Sequence, residues 1–288
     1  MQKGLGIPYM GSKRKIARKI VNHIIEFNKN IKYVYDLFGG GGAISFEFLQ
    51  RQQIKKVVYN DLNTGVCELF IYIQKNGITK DFYNWVDRET FMKHKNDNDW
   101  FGGLCKTVWS FGNNQRDYLF GKDIEEIKKQ AHLYLFENGY KLGEKEKRIE
   151  LIKQFKNDKN IKGRFELQQL EGLERLQQLQ QLERLERLEI QNKSYEDVII
   201  ETPIDETIIY LDPPYINKGE YQKKLNHDEL YEWIKKNKYK IYLSSYESDL
   251  YECRSYEHRC TLSATAHNKV EEKLYCNRDN DEKEKFLF

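Results

Sequence analysis

An α/β fold on a mostly parallel sheet is what the sequence predicts, and three observations predict it. Helix-period and strand-period stretches alternate in two blocks, residues 1–77 and 190–288. An apolar strand runs into a glycine run, "YVYDLFGGGG", at Tyr33–Gly42. A second uncharged strand, "IIYL" at Ile208–Leu211, ends on Asp212, Pro213, Pro214 and Tyr215. Strands alternating with helical patterns argue βαβ units. Uncharged β-branched runs argue strands covered on both faces.

Element by element, "SKRKIARKIVNHIIEF" places Ile16, Ile20, Ile24 and Phe27 on one helical stripe. "KYVYDLF" is a strand, "AISFEFLQ" a helix, "KKVVYND" a strand, and "LNTGVCELFIYIQKNG" an amphipathic helix that stops at Asn76-Gly77. From residue 78 to 165 charged helical stretches surround an aromatic and amide-rich segment, Trp100–Gly121, read as a separately packed, mainly helical insert. Leucine then recurs at every third position from Leu167 to Leu188. A coiled coil needs a mean step of 3.5, and a strict three-residue step winds around an α-helix without settling on one face. Residues 166–189 are therefore read as a low-complexity helical spacer without chemistry. The βα rhythm returns with "SYEDVI" (short helix), "TIIYLDPPY" (strand), "HDELYEWIKKN" (helix), "YKIYLSSYE" (strand) and "KVEEKLYCN" (strand). The two βα blocks are expected to share one sheet and to form one domain, interrupted by the insert.

Composition narrows the function classes. With 288 residues there is room for a sizeable core. Lys+Arg 48 against Asp+Glu 45 leaves a net charge of +3, so a nucleic-acid partner must be met by a local basic face. The five cysteines are odd in number and show no C-x-x-C spacing, which argues reduced thiols, no zinc site and a cytoplasmic protein. The chain starts without a secretory signal pattern, and no apolar run approaches ~18 residues.

Three constellations could carry chemistry. Asp212 stands at the C-terminal end of a strand, the edge where ligands bind in open α/β sheets. Pro213 and Pro214 stiffen the turn after it, and Tyr215 adds an aromatic face. The glycine run feeds a helix N-terminus with free N–H groups, with Asp36 just before it. A dinucleotide site would want G-x-G-x-x-G; here "AISF" follows Gly42 and the third glycine is missing. About twenty residues on, Asp61 ends the next strand, where a carboxylate typically accepts hydrogen bonds from a ribose diol. Together these point to an adenosine-containing ligand, with Asp61 serving equally as a helix N-cap. Near the start, Gly6 to Lys13 nearly spells a phosphate-binding loop, but Ser12 and Lys13 stand in the wrong order, which discounts an NTPase.

In this order, "PYMGSK", "DLFGGGG", "YND" and "LDPPY" resemble the α-group DNA adenine-N6 methyltransferases, the DNA adenine methylase family. "IYLSSYE" and "SATAHNKVEEKLYCN" resemble that family's later strand and closing strand pair, so the likeness spans most of the chain outside the leucine repeat and parts of 120–165. The resemblance implies a Rossmann-like S-adenosylmethionine-dependent methyltransferase sheet. It implies that S-adenosyl-L-methionine is the cofactor, and that methyl transfer to a flipped-out adenine in double-stranded DNA is the reaction. On it, Tyr9 and Lys13 touch the methionine part of the cofactor, Asp36, Phe38, Gly39 and Gly41 cradle it, and Asp61 binds its ribose. Asp212, Pro213, Pro214 and Tyr215 form the catalytic tetrapeptide, with Asp212 also beside the cofactor. An aspartate at 212, where a serine would favour cytosine, favours adenine. Four consecutive glycines depart from the family's spacing and leave open which glycine does what.

Target recognition is expected in the insert, on Asn113, Asn114, Gln115, Arg116 and Tyr118, since amides suit adenine edges and arginine suits guanine. An amide-rich turn that merely closes the insert is the competing account. Cytosine-N4 or RNA methylation and an inactive DNA-binding homologue are the alternative functions; an NAD-type oxidoreductase lacks its fingerprint here. A monomer encoded by a bacterium or phage is expected, with a cognate restriction nuclease left open.

Overall fold

The computed structural model describes residues 5–7, 9, 11–159, 186–214, 225–263 and 266–278. Tyr215 and the leucine repeat as far as residue 185 lie outside them. The described strands are β1 (Tyr33–Asp36), β2 (Lys56–Asn60), β3 (Leu188–Gln191), β4 (Thr207–Leu211), β5 (Lys240–Ser245), β6 (Tyr251–Ser263) and β7 (Ala266–Cys276). They form one sheet in the order β3-β2-β1-β4-β5-β7-β6. β1 to β5 are mutually parallel; β7 runs antiparallel to β5 and to β6. From β1 the chain steps outward to β2 and β3, and on the other side of β1 it steps from β4 to β5. The strand order therefore reverses between β1 and β4, the position at which open α/β sheets bind ligands beyond their C-terminal ends.

The chain divides into two compact units, Met1–Gly6, Gly11–Asn63 and Glu186–Phe288 in the first, Ile7–Met10 and Thr64–Leu185 in the second. The first holds the sheet. All five residues of β4 are buried, as an uncharged parallel strand between two covered faces must be. Its core includes Tyr35 and Leu37, Ile209 and Leu211, Ile241 and Leu243, with Leu230 and Ile234 from helix α8 (His227–Lys236). α8 starts where the Asn226 side chain accepts from the Asp228 and Glu229 backbone N–H groups, and its first turn is acidic and its last basic, as the helix dipole favours. α1 (Ala17–Phe27) buries Ile20, Val21 and Ile24, but Phe27 is 40% exposed, so the expected stripe stops one turn early.

Two boundaries differ from the sequence expectation. Leu188 and Glu189, read as the end of the helical spacer, belong to β3, which pairs with β2 from Val57↔Leu188 to Asn60↔Gln191. "LEIQ" alternates apolar and polar with the strand period of two, and Leu188 is buried where the leucines' three-residue step ends. The Arg187 guanidinium donates to the carbonyls of Leu49, Arg51 and Ile54, which pins the strand's entry. The second difference is α3 (Thr64–Asn76), which joins the second unit rather than the sheet-bearing one. It packs on α5 (Trp100–Val108) through glycines: a Cβ added to Gly103 would lie 1.9 Å from the Gly65 carbonyl oxygen. Such backbone-to-backbone approach leaves no room for any side chain.

The second unit also holds α4 (Arg88–His94), α6 (Glu125–Glu137) and α7 (Lys145–Asp158), so it is mainly helical. Its interior is aromatic: Trp85 stacks on Phe120 at 5.4 Å and meets Trp109 edge-on at 5.0 Å. His132 is buried beside them, 2.7 Å from the Tyr83 carbonyl oxygen, and burial pulls it down to about 4, so it serves there as a neutral core residue.

Candidate active site

The glycine turn follows β1. Gly39 N–H donates to the Asn60 carbonyl at 2.8 Å, Gly42 N–H donates to the Gly39 carbonyl at 2.8 Å, and Phe46 N–H donates to the Gly42 carbonyl at 2.9 Å, opening helix α2 (Ala43–Leu49). Two glycines are required by the loop itself. Gly42 has φ 74°, the left-handed region that side chains disfavour, and a Cβ at Gly39 would lie 2.2 Å from the Tyr59 ring. The Tyr59 hydroxyl in turn donates to the Gly40 carbonyl at 2.7 Å. Gly41 sits where Gly6 presses in: a Cβ at Gly6 would meet the Gly41 carbonyl oxygen at 2.6 Å. Within the run, close approach thus requires Gly39, and handedness favours glycine at 40 and 42.

Two acids flank it. Asp36, at the end of β1, is 1% exposed and accepts from Ser45 Oγ at 2.6 Å. Burial pushes its carboxyl up, the Ser45 hydrogen bond pulls against that, and the charges of Asp212 and Asp61 add to the rise, to about 7. Asp61 is only half-buried. Its Oδ2 accepts from Gly40 N–H and its Oδ1 from Asn63 N–H, both at 2.8 Å. Burial raises its pKa, against those two hydrogen bonds. The carboxylate thus fastens the glycine turn. Asn60, between the two strands' ends, is buried; it donates to the carbonyls of Leu37 (3.1 Å) and Lys193 (3.0 Å) and accepts from Lys193 N–H (2.9 Å). It ties the ends of β1 and β2 to the segment after β3, and nothing in the sequence beyond its place before Asp61 signalled that role.

Asp212 follows β4 at the adjacent strand end, since Asp36 pairs with Tyr210 across β1 and β4. Lys13 Nζ donates to Asp212 Oδ1 at 2.7 Å, and the same ammonium lies 3.4 Å from Glu272 Oε1 on β7. Lys13 and Glu272 are buried, and the Asp212 side chain retains 19% exposure. Burial pushes the Asp212 carboxyl up, Lys13 pulls it down and Glu272 pushes it up again, leaving it at about 6. For Lys13 burial acts downward, but the two carboxylates outweigh it and its pKa is raised, so it is a cation at neutral pH.

Within the protein the Lys13 ammonium thus holds Asp212 and Glu272. Glu272 was missed in the sequence, although a signal existed. In "VEEKLYC" it shares strand parity with Leu274 and Cys276, so an acid occupies a face of apolar residues, and all three are buried. Phe38 is half-buried and leans on Tyr195 at 5.6 Å between ring centres, against the sheet's core. Pro213 is buried and Pro214 half-buried. Tyr9 groups with the second unit.

The recognition candidates form a closed loop. Ser110 bridges Tyr118, Phe111 N–H donates to the Asp117 carbonyl at 2.7 Å, and Asn113 and Gln115 adopt positive φ of 60° and 62°. Two candidates serve structure. Tyr118 is buried and its hydroxyl donates to the Val86 carbonyl at 2.7 Å. Asn114 Oδ1 accepts from the N–H groups of Arg116 (2.9 Å) and Asp117 (3.0 Å), the bonding of an Asx turn. Arg116 is exposed, and Asn113 Oδ1 is buried without a hydrogen-bond partner among the described residues.

A parallel sheet reversing at β1 and β4, closed by an antiparallel strand pair, with an acid after the glycine turn and an Asp-Pro-Pro strand end, defines an α/β methyltransferase. The family model of the D12 class N6 adenine-specific DNA methyltransferases matches residues 9–275, and the chain belongs to that family. It is a DNA adenine-N6 methyltransferase, of a family that uses S-adenosylmethionine. No curated protein matches the chain. No helix among the described residues is long and apolar enough to cross a membrane.

Proposed function

We propose that Asp212 and the Pro213 carbonyl accept the two N–H hydrogens of the target adenine's exocyclic amine. The observation that carries this reading is the Lys13-held carboxylate at the end of β4, beside the glycine turn of β1, at the reversal of the strand order. That amine is a poor nucleophile because its lone pair is delocalised into the ring. Two fixed acceptors draw on its N–H bonds and return electron density to nitrogen, and fixed geometry lowers the barrier because nothing reorganises during the reaction. The prolines hold these acceptors in place. Tyr215, from the same tetrapeptide, is proposed to stack on the base after it leaves the duplex.

The residues around the turn suit S-adenosylmethionine. Asp61 stands at the end of β2 beside the glycine turn, where a carboxylate typically meets a ribose diol, and Ser12 Oγ, next to Lys13 in the chain, is buried with no hydrogen-bond partner among the described residues. Asp61, Asp36, Phe38, Gly39 and Gly41 would hold the cofactor, with Tyr9 and Lys13 assigned by resemblance to its methionine end. Bound there, it supplies an electrophilic methyl group on a positively charged sulfur. Asp61→Ala is expected to weaken S-adenosylmethionine binding by about tenfold to a hundredfold, the loss of hydrogen bonds to a charged acceptor. Titration calorimetry checks this; unchanged affinity in a folded variant would remove Asp61 from the cofactor site.

For the DNA target, Asn113, Gln115 and Arg116 are the proposed base readers, on the exposure of Arg116 and the unmatched acceptor of Asn113. Arg116→Ala is expected to relax the methylated sequence at one position, worth about 1–3 kcal/mol of discrimination. Sequencing of the adenines methylated by each form reads this out. A site preference identical to the wild type's would return the loop to a structural role. The enzyme is read as a monomer on double-stranded DNA, from a bacterium or phage.

A further inference from the structure

Glu272 is the member of the Lys13 cluster that amine recognition by Asp212 does not by itself require. It is 2% exposed, on β7, and its Oε1 lies 3.4 Å from the ammonium that also holds Asp212 at 2.7 Å. An ionised acid survives burial only beside a cation. Here one ammonium stands beside two carboxyl groups. Without Glu272, the Lys13 ammonium would bear more fully on Asp212, and a carboxylate fully engaged by an ammonium is a weak acceptor for anything else.

We infer that Glu272 is a positioning residue for methyl transfer: by sharing the Lys13 ammonium it keeps that cation from being drawn wholly onto Asp212, and so preserves Asp212 as acceptor for the adenine amine. This rests on the reading of Asp212 given above. The groups facing Asp212 come from four places: Lys13 before α1, Glu272 on β7, Asp36 at the end of β1 and Tyr210 on β4, whose hydroxyl is 2.6 Å from Ser244 Oγ. Burial and Glu272 act on Asp212 in the upward direction and Lys13 in the downward direction, so removing the Glu272 charge leaves burial as the main opposition to the lysine.

The test is the pH profile of methyl transfer to duplex DNA by the full chain carrying Glu272→Gln, which keeps shape and removes charge. The acidic limb is expected to move down by about one pH unit, and the plateau kcat to fall at least about tenfold, with the KM for DNA unchanged. Glu272→Asp, which keeps the charge, is expected to restore the limb to its wild-type place. A limb that stays put in Glu272→Gln overturns the inference, whether or not the plateau falls, because a structural defect alone lowers kcat without moving it. Full activity in Asp212→Ala would instead overturn the reading of Asp212. Should Glu272→Gln not fold, a carbon-13 titration of the wild-type carboxyls decides. Asp212 and Glu272 titrating in two shared steps supports the sharing of Lys13, and independent single steps overturn it.

Discussion

Asp212→Ala is expected to lower methyl transfer by about a thousandfold or more, close to 4 kcal/mol of barrier. The loss should fall on kcat in single turnover, with DNA binding retained. The structure explains why the variant should still fold: Lys13, deprived of Asp212, keeps Glu272 at 3.4 Å as a counter-ion. No buried charge is stranded, so melting temperature should change little. Asp212→Asn should behave similarly, because the amide has the shape but not the charge that draws on the amine's N–H bonds. The measurement is transfer of labelled methyl groups to unmethylated duplex DNA, with nucleoside analysis for methyladenine. Retention of activity within about tenfold would place the acceptor elsewhere. In the wild type, the rate should fall as pH drops through about 6, where Asp212 takes up a proton.

Lys13→Met should have the larger effect on stability. It leaves Asp212 and Glu272 facing each other without the ammonium that both contact. Removing one partner of a buried ion pair typically costs about 3–5 kcal/mol, because the remaining charge has lost its compensation. The pH dependence has a definite sign. Asp212 is already raised to about 6, and loss of the cation that lowers it must raise it further. A carboxyl whose folded pKa lies above its unfolded value favours the fold when protonated, and that contribution disappears as pH rises through the folded pKa. The variant should therefore be least destabilised near pH 5 and most destabilised near pH 8, in thermal melts at the two values. Its residual activity should carry an acidic limb moved upward, opposite to the shift expected for Glu272→Gln. Equal destabilisation at both pH values would show that the lysine's alkyl packing, and not its charge, holds this corner of the sheet.

Much of this was legible before any coordinates. The strand-to-glycine junction at Asp36–Gly42 and the strand end at Leu211–Asp212 announce themselves locally, because a run of β-branched residues followed by glycine or proline has few other folds. The βα order around them implies a parallel sheet, whereas the point at which the strand order reverses came from the structure. Other placements depended on partners distant in the chain. Leu188 continues a repeat in the sequence but pairs with Val57 in the sheet, because a leucine tolerates either period and the partner strand decides. Tyr118 reads as a base-contacting residue by composition, yet its ring is buried and its hydroxyl is spent on Val86.

What the amino-acid order determined by itself is therefore the class of fold, the glycine turn, the two strand-end acids and the family to which they belong. Each depends on residues adjacent in the chain. Only the tertiary structure decided which charges meet. Asp212 and Glu272 are brought near each other because β4, β5 and β7 lie side by side, and Lys13 meets them from the turn before α1. The strength of a buried charge is set by its neighbours in space, so the balance of one ammonium between two carboxylates could not be read from any single stretch of sequence.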